Sequence, residues 1–147
     1  MPLIHLPLTN GLPIVSVWVG VSAPREEALR ASGLDIPHPV LMRLLIDTGA
    51  SMVGLDRNAI RPLGLAPTGV AAVHTPSTAA AAPHSTNQYD VSLIVPPHVG
   101  PPLVLGAIPV LEGDFGHQRI DGLLGRDVLS LCTLIYNAPA GGFTLAY

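Results

Sequence analysis

Residues 44–51 read Leu, Leu, Ile, Asp, Thr, Gly, Ala, Ser, so an apolar run closes on a carboxylate followed by a hydroxyl and a glycine. A carboxylate at the end of a buried strand is costly unless something uses it. Faced by a second acid, Asp47 could do general acid–base work. Two carboxyls sharing one proton can hold a water and alternate as base and acid while that water adds to a carbonyl. Thr48 supplies a hydroxyl that can hydrogen-bond across to another loop, and Gly49 lets the backbone approach the carboxylate without a Cβ in the way. The same triplet also arises as a plain strand-to-turn junction, where Asp and Gly serve turn geometry. This chemistry needs two carboxylates, and the chain carries one such motif.

A second block, residues 120–129, reads Ile, Asp, Gly, Leu, Leu, Gly, Arg, Asp, Val, Leu. In order and separation the two blocks resemble the paired signature of retropepsin-like aspartic proteases. The ending, with Tyr136 and Asn137 followed by Gly141, Gly142, Phe143, Thr144 and Leu145, resembles that family's closing hairpin. The resemblance implies a mainly β fold, a closed barrel equivalent to one half of a larger acid protease, with one or two short helices. It makes Asp47 the catalytic residue, with Thr48, Gly49 and Ala50 supporting it. Leu123, Leu124 and Gly125 would pass beneath the active-site loop, with Arg126 at the start of a helix. It also implies a homodimer with one Asp47 from each subunit, a peptide or protein substrate, and no cofactor.

Several positions depart from the family pattern. Family members often pair the arginine with an acid just after the first motif, but Ser51 and Met52 stand there, so Arg126 must find another partner. Ala50 replaces a hydroxyl residue common in pepsin-type relatives. Withdrawing that donor from the carboxylate points to an activity optimum nearer neutral than strongly acidic. The flap candidate, residues 70–90, has no glycine between Val70 and Gln88. Its substrate-binding candidates are Thr75, Pro76, Ser77 and Thr78, and Val53 and Ile108 are candidates to line subsites. Asp121 and Asp127 lack the hydroxyl and glycine of a catalytic loop and read as structural, Asp127 as a capping or ion-pairing residue.

Composition narrows the alternatives. At 147 residues the chain is read as one domain, 1–147. Hydrophobic residues make up 48% and charged ones 12%, so the fold must hide apolar surface against a partner or leave it exposed. A net charge of -3 without a basic cluster argues against nucleic acid. Residues 91–111 carry no charge, but five prolines break them into pieces too short to span a membrane, and two strands around a Pro-rich loop fit better. The start Met, Pro, Leu, Ile, His lacks the basic opening of a secretory signal, which makes the cytoplasm the expected location. Six histidines show no helical i, i+4 pair and have one cysteine beside them, so no metal site is expected. Cys132, among leucines, reads as a buried thiol. Two other readings stay open: a non-catalytic dimerisation or peptide-binding module on the same fold, and a thiol hydrolase using Cys132.

The elements that must position these residues follow from local pattern. With 15 Gly and 16 Pro, short strands and turns dominate. Strands are expected over 12–21, 39–47, 89–95, 103–111, 134–136 and 143–147, with a hairpin or extended loop over 70–86. A short helix is expected over 24–31, opened by proline and stopped by Gly33. Helical turns are expected over 56–63, between an Asp56 cap and Gly64, and over 128–131.

Overall fold

The computed structural model describes residues 1–75 and 82–147. It begins with strand β1 (Leu3–Pro7) and a tight turn in which Asn10 and Gly11 both take positive φ, 51° and 78°, between the mutually bonded Thr9 and Leu12. An Asn-Gly pair supports this geometry because both residues tolerate the left-handed region. Strand β2 (Ile14–Val21) leads into helix α1 (Ala23–Ala31), where the Ser22 hydroxyl accepts from the Arg25 N–H and Pro24 occupies the first turn. Then come β3 (Val40–Ile46), β4 (Gly54–Asp56) and the short helix α2 (Arg57–Ile60), continued by a 3-10 turn over Arg61–Leu63 and ended at Gly64 with φ 58°. Strand β5 (Gly69–Val73) pairs with β6 (His84–Val95), which turns through the Pro-rich loop into β7 (Leu103–Gly113). After a 3-10 turn over Gly116–Gln118 the chain adds β8 (Gly122–Leu124), α3 (Arg126–Leu129), β9 (Thr133–Asn137) and β10 (Gly142–Ala146).

Six strands close into a barrel in the order β2-β3-β8-β4-β7-β6, and a β2–β6 pairing from Trp18↔Ile94 to Val21↔Val91 seals it. β5 extends the sheet beyond β6, and β1-β10-β9 form a separate antiparallel sheet. Alternate residues of the barrel strands point inward. Val15, Val17, Val19, Met42, Leu44, Val91, Leu93 and Val95 are all essentially buried and form one core with Leu55, Leu124 and Phe143. No helix among the described residues is long and apolar enough to cross a membrane.

The mainly β, closed-barrel expectation therefore holds, with strands longer than their apolar runs. β6 starts at His84, upstream of the expected residue 89, because the polar segment His84–Gln88 is held by backbone pairing to β5 and needs no buried face. β1 had no clear signal in its own sequence. It exists because β10 offers it a bonded edge from Leu3↔Ala146 to Pro7↔Gly142.

Candidate active site

The short strand β8 organises the site. It runs parallel to β3 through Leu44↔Gly122, Leu45↔Leu123 and Ile46↔Leu124, and antiparallel to β4 through Gly54↔Leu123 and Leu55↔Gly122. β3 enters the Asp47 loop and β4 leaves it, so β8 pins both ends of that loop at once. Side-chain-free positions make this possible. A Cβ on Gly125 would lie 2.5 Å from the Met52 carbonyl group, and one on Gly122 would overlap the Gly54 carbonyl.

Within the loop each backbone group has a fixed partner. The Asp47 N–H donates to Leu124 O at 3.0 Å, and the Ala50 N–H donates to Asp47 O at 3.2 Å. Arg126 is the clamp. Its Nη1 donates to Thr48 O at 2.9 Å and Gly49 O at 3.0 Å, while its backbone N–H donates to Ala50 O at 2.9 Å. The guanidinium thus finds loop carbonyls in place of a carboxylate, and such charge-assisted bonds are roughly twice as strong as neutral ones. Asp127 does not cap α3 by a bond to a later turn, and it forms no ion pair among the described residues. Its carboxylate accepts from the Val53 N–H at 3.0 Å and from the adjacent Val128 N–H at 3.0 Å, tying the loop's exit to α3. Asp121 accepts from the Arg43 N–H at 2.8 Å and joins β3 to the approach of β8.

The half-buried Asp47 side chain accepts the Gly49 N–H at 2.8 Å through Oδ1. A Cβ on Gly49 would stand 3.1 Å from that oxygen, so glycine gives the carboxylate its closest backbone donor. Thr48 is exposed, and its hydroxyl has no hydrogen-bond partner among the described residues.

Asp47 opens onto a cleft of about 570 Å³. Gly49, Ala50, Met52 and Leu123 line it beside the carboxylate, Val73, His74, Thr75, His84 and Thr86 line it from the β5–β6 hairpin, and Leu111, Glu112, Asp114 and Phe115 line it from β7 and the turn beyond. Phe115 is fixed on that wall. Its ring fills the space a Cβ would need on Gly54 and Gly113, and its N–H donates to Asp56 Oδ2 at 2.8 Å. The buried Asp56 also accepts from the N–H groups of Asn58, Ala59 and Gly116. Burial pushes its carboxyl up, but the donors at Phe115, Asn58, Ala59 and Gly116 together outweigh it and hold the group below its ordinary value of 3.8.

Of the sequence-derived candidates, Asp47, Gly49, Ala50 and Leu123 meet in the cleft with Thr75, while Leu124 and Gly125 lie buried beneath and Arg126 braces from the side. Pro76, Ser77 and Thr78 fall outside the described residues. Val53 and Ile108 are corrected: both are buried in the barrel core and neither lines the cleft, Val53 just before β4 and Ile108 within β7. Cys132 is half-buried, and its thiol donates to Val128 O at 3.5 Å. Burial pushes that thiol up, and it does not line the cleft. Glu112, like Asp114 and Phe115 beside it, is a cleft residue that sequence reasoning missed. Its signal was an acid closing the uncharged run of residues 91–111, much as Asp47 closes the short apolar run of residues 44–46.

Comparisons with known proteins give a family and a fold. A family profile described as aspartyl protease matches residues 33–128. Among solved structures, the crystal structure of a retropepsin-like aspartic protease from Rickettsia conorii superposes with a TM-score of 0.61 at 17% identity, over 99% of this chain and 90% of that one. At that identity the likeness is one of fold. No curated protein matches the chain.

Proposed function

The chain belongs to the aspartyl protease family, and on that premise we propose that it is an endopeptidase whose active site forms when two copies bring their Asp47 carboxylates together. The observation that carries this reading is the Asp47 carboxylate, held on the cleft by a loop whose own hydrogen bonds are met from within the chain. The other acids near the loop are committed elsewhere: Asp121 and Asp127 to backbone donors, and Asp56 to four N–H groups. A catalytic partner of equal construction is a second Asp47, which a twofold-symmetric dimer supplies.

In that dimer two like charges a few ångström apart cannot both ionise readily, so the pair keeps one proton. The ionised carboxylate takes a proton from the bridging water as its oxygen adds to the scissile carbonyl. The protonated carboxyl hydrogen-bonds the carbonyl oxygen, and a proton then passes to the leaving amine as the C–N bond breaks. Thr48, exposed beside the carboxylate with its hydroxyl unengaged in the described residues, suits a contact to the partner's loop. Gly125 and Arg126 keep the loop from collapsing. The β5–β6 hairpin covers the substrate, with Thr75, Pro76, Ser77 and Thr78 as its candidate contacts. Each subunit of that dimer is one domain over residues 1–147, and its expected place of action is the cytoplasm.

The test joins two measurements on purified protein, cleavage of a peptide library across pH with and without pepstatin, and mass in solution. Wild-type protein should cleave as a dimer. Asp47→Asn should lose on the order of 10³-fold in kcat/KM, the range general acid–base catalysis supplies, and keep its dimer mass. Full cleavage by the variant would overturn the mechanism, and a folded dimer that binds peptides without cutting them would support a binding module instead.

A further inference from the structure

The wall of the cleft carries a charge that the proposed chemistry does not use. Glu112 closes β7 after an uncharged stretch and lines the same cleft as Asp47. It is half-buried and tightly placed. Its Oε2 accepts the Tyr89 hydroxyl at 2.6 Å and faces Asn87 Nδ2 at 3.5 Å, while its backbone carbonyl accepts the Thr86 hydroxyl at 2.7 Å. Tyr89 is buried, and the bond to Glu112, with burial and the negative charge of that acid, pushes its phenol up.

These donors are neutral, and Oε1 has no hydrogen-bond partner among the described residues. The one ion pair among those residues is Arg30–Glu26 on α1, so no described cation lies within ion-pairing distance of Glu112. Arg57 also lines the cleft and its charge reaches Tyr89, but it is exposed, so solvent screens it. A half-buried carboxylate held in place without a bonded ion-pair partner is stabilised by a cation that a ligand delivers.

Resting on the reading of this cleft as a peptide site, we propose that Glu112 is a specificity-determining residue that selects substrates placing a lysine or arginine side chain against the β7 wall. Asp114, exposed two residues further on the same wall, adds to the negative field such a side chain enters. The carboxylate is built as a fixed acceptor: the Tyr89 bond restrains its rotamer, so little side-chain entropy is lost when a cation docks.

The experiment uses full-length protein and peptides that differ at one scanned position, carrying lysine, its uncharged analogue norleucine, or glutamate. In the wild type, kcat/KM for the best lysine peptide should exceed that of its norleucine twin by about tenfold, the size of a partly exposed charge pair. Glu112→Gln, which can still accept from Tyr89, should bring the ratio close to one, and Glu112→Lys should turn the preference toward glutamate. An equal ratio in wild type and Glu112→Gln overturns the proposal, as does a wild type without lysine preference at any position. Raising salt should weaken the wild-type preference, an effect independent of any variant's folding, and a salt-insensitive preference counts against it. Binding of the same peptides to Asp47→Asn protein, read by fluorescence anisotropy, separates the two claims. Lysine-selective binding without wild-type cleavage keeps the specificity and removes the protease, whereas cleavage without lysine selectivity does the reverse.

Discussion

Around Asp47 the chain is held from both sides, with β8 wedged between β3 and β4 and Arg126 donating into the loop, whereas β5 across the cleft pairs with β6 alone. The difference extends to the glycines. Gly125 has backbone of Met52 where a Cβ would go, and Gly69 at the start of β5 has nothing within 4 Å. One region is built to hold a carboxylate still. The other is an outer ribbon of mostly exposed residues that can change sequence at little cost to the fold. Position in the network decides what a residue costs to replace, whatever its type.

The sharpest way to break this comparison is a matched pair of glycine substitutions. Gly125→Ala should cost about 3 kcal/mol or more in chemical denaturation, because overpacking against backbone cannot relax by a rotamer change. Gly69→Ala should stay within about 0.5 kcal/mol of wild type, and similar losses at both sites would contradict the contrast. Next in size, Asp56→Asn should cost about 2 kcal/mol, since it replaces a charged acceptor of four N–H groups with a neutral amide. Its pH signature follows from the lowered carboxyl. The stabilisation is complete above the ordinary value of 3.8 and drains away as pH falls below it, so denaturation of the variant should show a flatter acid dependence.

Arg126→Ala should cost about 1 kcal/mol in stability, because the side chain is exposed, yet lower kcat more than it raises KM by freeing Thr48 O and Gly49 O. Steady-state kinetics beside a melting curve check that split. The smallest effect belongs to Ala50→Ser, where a new hydroxyl beside the carboxylate pair should move the acidic limb of the pH–activity profile down by about a unit or less. An unchanged limb would remove the idea that Ala50 sets the working pH.

Much of the local structure was legible in the sequence, because its turn and cap residues satisfy backbone rules that can be met in few ways. Asp56 as a cap, Gly64 as a stop, Pro24 in a first helical turn and the turn at Gly141 each follow from local backbone rules. The need of Arg126 for a partner was also legible, but the partner was not, since backbone carbonyls carry no sequence signature. Val53 and Ile108 were misplaced for a related reason: an apolar residue reads alike whether the fold turns it to the barrel core or to the cleft. β1 depends on β10, its partner from the far end of the chain, and such long-range pairing leaves little mark on a five-residue strand. Glu112 did leave a mark, at the end of an uncharged run, and its meaning emerged only with Tyr89 and the cleft in view.

The account stands on two Asp47 carboxylates sharing one site, and subunit mixing tests that directly. Wild-type and Asp47→Asn protein are co-refolded in equal amounts at fixed total concentration, and peptidase activity is read after exchange. If each site needs both copies, about a quarter of the dimers keep two carboxylates and activity falls to that level relative to an all-wild-type sample. Activity that stays at half, in proportion to the wild-type chains present, would mean that a single Asp47 suffices and would contradict the shared site.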